Sequence, residues 1–230
     1  MPVIAITRRL PKSAYNLLAE RPDVTYVENP QDTALSSDAL IALARGADAL
    51  ICTLSDQIDS ALLNQLTPRL QIVSQYAVGV NNIDLDAAKR LGVRVANTPD
   101  VLTDATAELA VTLMLACLRR VVEGDRLTRG GLFQGWAPTL LIGRGLTGKS
   151  VGIVGTGRIG RRTAEMLVAG FGCRVFAWSR RPDESWARQH GIRYLTLDEL
   201  LVNSDIVSLH CALTPETHHL IGEERLSRMQ

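Results

Sequence analysis

The sequence predicts an α/β protein built from two doubly wound parallel-sheet domains. Short β-rich runs alternate with runs of helical apolar spacing through roughly the first 100 residues, and a second series restarts at a glycine-punctuated junction, Val151 to Gly160, VGIVGTGRIG. A length of 230 residues with 46% hydrophobic content is enough for one large or two small cores.

In the first series, Val3 to Thr7, Val24 to Val27, Ala49 to Thr53, Ile72 to Tyr76 and Arg94 to Ala96 read as strands. Between them, Lys12 to Glu20, Asp38 to Arg45, Asp59 to Leu66 and Asp84 to Leu91 read as helices, the last closed by Gly92 as a C′ residue. Together they form a flavodoxin-like domain over residues 1–99. Asn97-Thr98-Pro99-Asp100 interrupts the alternation, and residues 100–230 form the second domain. Asp100 or Thr103 is expected to cap a long helix reaching about Val122. That helix is apolar on most faces, which predicts burial between domains or subunits. Gly124 to Gly148, with Phe133, Trp136 and Pro138, reads as a loop that packs against something, such as a second subunit.

The second domain has expected strands Val151 to Val154, Arg174 to Trp178, Ile192 to Leu195 and Asp205 to Cys211. Its first strand enters Gly155-x-Gly157-x-x-Gly160, and Arg161 to Ala169 follows as a helix. This is the Rossmann-type pattern. Gly155 makes the tight turn, and Gly157, without a Cβ, lets the backbone approach a pyrophosphate met by N–H groups and the helix dipole; Gly160 allows close packing of helix on strand. An NAD-specific site would place Asp or Glu about 20 residues beyond the first glycine. Here the second strand ends in Trp178, Ser179, Arg180, Arg181. Guanidinium forks attract a 2′-phosphate that a carboxylate would repel, so NADP(H) is the expected cofactor, with NAD(H) possible.

Composition excludes several classes. With 25 basic against 24 acidic residues, nothing suggests a nucleic-acid partner. Cys52, Cys117, Cys173 and Cys211 are widely spaced in apolar settings without a CxxC pair, and read as reduced core residues rather than metal ligands. That usage points to a cytoplasmic protein. The apolar run Val3 to Ile6 meets Arg8 and Arg9 too soon for a signal peptide, and Leu109 to Leu118 is too short to span a bilayer. No membrane role follows.

Five stretches carry a resemblance: YAVGVNNID from Tyr76, NTPDVLTDATAELA from Asn97, GWAPTL from Gly135, LTGKSVGIVGTGRIG from Leu146 and SDIVSLHCALTPETHHL from Ser204. With them the chain resembles the D-2-hydroxyacid dehydrogenases, nearest the glyoxylate and hydroxypyruvate reductase branch. The resemblance implies an oxidoreductase that passes hydride from NADPH to a small 2-oxo acid. It places the substrate carboxylate at Val78 and Gly79, where a glycine turn after a strand offers N–H groups as an anion nest. It puts Thr106 beside the nicotinamide, the glycine segment Gly155, Gly157, Arg158, Ile159 and Gly160 under the diphosphate, and Ser179, Arg180 and Arg181 at the adenosine ribose. Cys211, Ala212 and Pro215, after the fourth strand, line the cofactor at the carboxyl edge of the sheet. It also implies a homodimer through the long helix and the Trp136 loop.

One feature departs from the family pattern. The substrate arginine, the glutamate and the acid–base histidine all fall beyond Gln230, so no catalytic residue is assigned within the chain. His190 reads as a helix-end residue, His210 as a packed strand residue, and His218 and His219 as surface residues. The second sheet is expected to be incomplete, in the order 3-2-1-4, with the strand from Asp205 as an open edge on which Ile206, Val207 and Leu209 lie uncovered. The 230 residues alone are therefore expected to keep much of the dinucleotide site and not to turn over substrate. A second reading stays open: a non-catalytic dinucleotide-binding or interaction module.

Overall fold

Val3–Ile6 (β1) pairs in parallel with Thr25–Glu28 (β2) on one side and Ala49–Cys52 (β3) on the other, with Ile4 opposite both Tyr26 and Ala49. Ile72–Gln75 (β4) and Arg94–Ala96 (β5) extend the sheet to the order β2-β1-β3-β4-β5, the flavodoxin-like winding. The computed structural model describes residues 1–229, and this sheet belongs to the first of two compact units, Met1–Asp100. Gln230, after which the implied catalytic groups would fall, lies outside the described residues.

The connecting helices are Lys12–Ala19 (α1), Ser37–Ala44 (α2), Ser60–Leu66 (α3) and Leu85–Arg90 (α4). Three of them start on side-chain caps, Ser36, Asp59 and Asp84, each accepting an N–H three residues on. Gly92, at φ +72°, ends α4 in the left-handed conformation that only glycine adopts without cost. The central strands β3 and β4 alternate buried with half-buried residues, and Leu50, Ile58, Leu63 and Val73 are inaccessible to solvent.

The second unit runs from Val101 and holds Thr103–Leu118 (α5), Val121–Arg129 (α6), Ser150–Val154 (β6), Arg158–Phe171 (α7), Arg174–Trp178 (β7), Glu184–His190 (α8), Arg193–Tyr194 (β8), Leu197–Asn203 (α9), Ile206–Leu209 (β9) and Glu223–Ser227 (α10). Its four parallel strands lie in the order β8-β7-β6-β9, matching the expected 3-2-1-4, and β9 is an edge. All five residues of β6 are buried, and Gly152 is required there, since a Cβ would lie 2.3 Å from Leu200 Cδ2. Ile206 and Val207 are half-buried and Leu209 is exposed, so the edge is open as expected.

Several elements differ from expectation. The long helix stops at Leu118, where the Arg144 N–H takes the Leu118 carbonyl at 2.8 Å and Arg120 turns left-handed at φ +54°. Its continuation is a separate helix, α6, so the first residues of the expected loop from Gly124 are helical. Neither Asp100 nor Thr103 is the N-cap of α5: that position is Leu102, without a side-chain bond, and Asp100 sits at φ +73°. Within its unit α5 buries only Ala107, Val111 and Met114, leaving Leu109 and Leu113 more than half exposed. The helix after the glycine motif starts at Arg158 and runs to Phe171, longer at both ends. β8 keeps two of its four expected residues, and β9 ends at Leu209, which places Cys211 in the following loop. The core reading of the cysteines holds for Cys52 and Cys173; Cys117 is exposed and Cys211 half-buried, because α5 turns Cys117 outward and the chain has left the sheet before Cys211.

Candidate functional site

The three glycines of the motif do three different things. Gly155 sits at φ +101°, and a Cβ there would lie 2.7 Å from the Cys211 N, inside the backbone of the loop after β9. Gly160 lies on the first turn of α7, and a Cβ would lie 2.0 Å from the Gly155 carbonyl oxygen, so the helix sits on the loop at a distance only glycine permits. Gly157 faces open space at an ordinary φ of −73°. Neither sterics within the chain nor backbone strain requires glycine at that position, and its bare backbone faces open space.

Gly157 is also the N-cap of α7, with no side-chain cap, and the helical ladder begins with the Arg161 N–H donating to the Gly157 carbonyl at 2.9 Å. First-turn N–H groups have no intrahelical acceptor and carry the positive end of the dipole. This is the chemistry of a diphosphate cradle. Ile159 is half-buried beside it and Arg158 is exposed on its rim. The pyrophosphate of a dinucleotide thus fits the residues present.

Beyond β7, Ser179 is half-buried, while Arg180 and Arg181 are exposed in the irregular segment that leads to α8. No carboxylate stands on that segment before Asp183, but the loop after β9 supplies one. The Glu216 carboxyl is held below its ordinary range first by the Thr214 hydroxyl, then by its own backbone N–H, with a contribution from the Arg180 charge. Ala212 and Pro215 are exposed on the same loop, which is braced by Thr217: its hydroxyl donates to the Ala212 carbonyl at 2.6 Å and accepts the Thr214 N–H at 2.7 Å.

Thr106, half-buried on the first turn of α5, lines an apolar groove of about 480 Å³ together with Leu109, Leu113, Met114, Ile206 and His210. His210 Nε2 is 2.9 Å from the Ser208 hydroxyl, and burial lowers its pKa below the usual histidine range. His190 bonds the Trp186 carbonyl through Nδ1 at the end of α8, and the His218 and His219 rings stack 3.9 Å apart. Among the described residues no group of three or more His, Cys, Asp or Glu is placed to hold a metal. No helix described is long and apolar enough to cross a membrane.

In the first unit, half-buried Val78 and exposed Gly79 follow β4 in a bend whose carbonyls are held by side-chain amides. The Asn97 amide donates to the Val78 carbonyl at 2.9 Å and the Gln75 amide to the Gly79 carbonyl at 3.1 Å. The N–H groups of Val78 and Gly79 have no acceptor among the described residues. The bend is not built on a left-handed glycine: Gly79 has no positive φ, and a Cβ on it would lie 3.8 Å from Leu54 Cδ2, an ordinary contact. The bend is held by Gln75 and Asn97 rather than by a positive φ at its glycine.

Sequence reading missed the group that braces the glycine loop. Thr156 bonds the Tyr194 hydroxyl at 2.8 Å, and the Arg161 guanidinium reaches both the Thr156 carbonyl and the Asp183 carboxylate. The available signal was Asp183 ahead of Glu-Ser-Trp, a helix-start pattern directly after the arginine pair.

Residues 111–230 match the family model for the D-isomer specific 2-hydroxyacid dehydrogenase NAD binding domain. The whole chain aligns with a glyoxylate reductase of Aeropyrum pernix at 46% identity, covering 68% of that protein. It superposes on a solved Thermus thermophilus protein with a TM-score of 0.89 at 41% identity, covering 100% of this chain and 71% of that one. A solved glyoxylate reductase from Paecilomyes thermophila gives a TM-score of 0.82 at 27% identity, covering 70% of that chain. With a nicotinamide-dinucleotide domain matched over its second half and this likeness along its whole length, the chain belongs to the D-isomer specific 2-hydroxyacid dehydrogenase family of oxidoreductases.

Proposed function

We propose that this oxidoreductase reduces a small 2-oxo acid, glyoxylate or hydroxypyruvate, to the 2-hydroxy acid, and that it prefers NADPH to NADH. The observation that carries the reading is Gly157, whose missing Cβ leaves open space at an uncapped helix N-terminus with two exposed arginines one strand away. The glyoxylate reductases among the relatives supply the substrate class.

When bound, the reduced nicotinamide supplies the hydride. The chain's own residues bind and orient. Ile159 and Gly160 on the first turn of α7 neutralise the diphosphate, Arg180 and Arg181 recognise the 2′-phosphate, and Cys211, Ala212 and Pro215 shape the wall beyond β9. Thr106 stands on the nicotinamide side. In the first unit the Val78 and Gly79 N–H groups hold the substrate carboxylate, which fixes the carbonyl carbon for attack. The arginine, glutamate and histidine that the resemblance implies have no counterpart assigned among these residues.

The exposed apolar side chains of α5 and the loop bearing Trp136, 83% exposed, suit a homodimer contact. Deleting residues 135–140 should then weaken dimerisation in sedimentation. The four free cysteines fit a reducing, cytoplasmic setting.

Calorimetric titration tests the cofactor reading. Replacing Arg180 and Arg181 with alanine should raise the Kd for NADPH by about tenfold and leave that for NADH nearly unchanged, the loss expected for charged hydrogen bonds to phosphate. Equal losses end the 2′-phosphate assignment. NADPH-dependent glyoxylate reduction by the 230 residues at the rate of a longer relative would end the expectation that they bind without turnover.

A further inference from the structure

We propose that Arg161 is a positioning residue that locks the glycine loop to the segment carrying Arg180 and Arg181, so that diphosphate and ribose-phosphate recognition are presented in fixed register. The inference rests on the reading of those arginines as 2′-phosphate ligands for its effect on cofactor choice, and on geometry alone for the lock.

β7 ends at Trp178, whose carbonyl takes the Gly155 N–H at 2.7 Å, and this is the last backbone tie between the two strands. Residues 179–182 then run outside any strand or helix. Arg161 spans what the sheet no longer holds. Its Nε–H donates to the Thr156 carbonyl at 3.0 Å, between the first two motif glycines, and its Nη1–H donates to Asp183 Oδ2 at 2.9 Å, two residues past Arg181.

The far end of this brace is itself fixed. Asp183 Oδ1 accepts the Trp186 N–H at 3.1 Å and the Ser185 hydroxyl at 2.6 Å, which makes Asp183 the N-cap of α8. The Arg161 guanidinium lies 5.0 Å from the centre of the Trp186 ring, and the buried indole donates its N–H to Glu165 Oε1 at 3.0 Å. A planar fork is needed to meet a carbonyl, a carboxylate and a ring face from one position. A lysine ammonium offers its donors from a single point, without the rigid spacing of Nε and Nη1 or the flat face that meets the Trp186 ring.

The test uses the full chain with R161A, R161K, R180A/R181A and the combined R161A/R180A/R181A variant, read by hydrogen–deuterium exchange and by calorimetry with NADPH and NADH. R161A should speed exchange about tenfold in residues 155–160 and 179–186 while β6 keeps its protection, the pattern of a lost local tie rather than of global unfolding. R161K should behave like R161A. R161A should also weaken NADPH more than NADH, and this difference should vanish in the R180A/R181A background, because coupled residues are not additive. Unchanged exchange in both segments, or rescue by lysine, overturns the lock. Faster exchange as expected, with R180A/R181A leaving the NADPH preference intact, upholds the lock and removes only the 2′-phosphate reading.

Discussion

Gly160 stands so close to Gly155 that a methyl group on it would lie 2.0 Å from the Gly155 carbonyl oxygen. The obstacle is backbone, so no rotamer change relieves it. Gly160→Ala should therefore push α7 off the loop and destabilise the protein by about 3 kcal/mol, at the upper end of what overpacking costs. The shift in the urea midpoint measures it. A loss below about 1 kcal/mol would mean that the helix moves more freely on the loop than this contact allows.

Gly157→Ala should do the opposite. Its φ of −73° suits any residue and its Cβ would meet nothing within 4 Å, so stability should stay within about 1 kcal/mol of wild type. Dinucleotide binding should fall by about tenfold or more, because the methyl occupies the approach to the first-turn N–H groups. The pair of variants separates a glycine needed by the fold from one needed by a ligand.

The glycine loop was legible because its requirements sit at fixed offsets within one strand–turn–helix unit, and the strand orders were legible because right-handed crossovers leave few alternatives. The break in the long helix was not. Thr103 to Val122 is apolar with good helix formers, and what stops it is the Arg144 N–H reaching the Leu118 carbonyl from a distant loop. The same holds for Arg161, whose meaning depends on Asp183, a partner that periodicity cannot place beside it. The bend at Val78 and Gly79 was legible as a glycine turn after a strand, but its ties to Gln75 and Asn97 were not, because those partners come from the end of β4 and from beyond β5.

The four thiols should differ sharply in reactivity. Burial pushes the Cys52 thiol up to about 12, with the Asp56 charge adding to the shift, and burial also raises Cys173. Thiolate is the reactive form, so neither should be labelled by a disulfide reagent at pH 8 in the folded protein. Cys117, exposed on α5, should react readily, and Cys211 more slowly from its half-buried place in the loop after β9. Bound NADPH should protect Cys211 and leave Cys117 unaffected, a difference that mass spectrometry of the labelled peptides reads directly. Equal protection of both would argue against Cys211 lining the cofactor.

Asp183 gives the brace an acid limit whose sign is fixed. The Ser185 hydroxyl, then the Trp186 N–H and the Arg161 guanidinium hold its carboxyl at about 2, below the ordinary 3.8. A folded-state pKa depressed in this way contributes stability that is present above the unfolded value and is lost as pH falls from about 4 towards 2. Asp183→Asn retains an oxygen to cap α8 but removes the charge that answers Arg161, so its urea midpoint should lie below wild type at neutral pH. The two midpoints should draw together as pH falls towards 2, where the wild-type carboxyl begins to take up its proton. Because Asp183 is about a third exposed, solvent screening keeps the difference modest, and salt should shrink it further. A gap between the two proteins that stays constant from neutral pH down to pH 2 would show that the aspartate acts through its capping oxygen alone and that its charge does no work on Arg161.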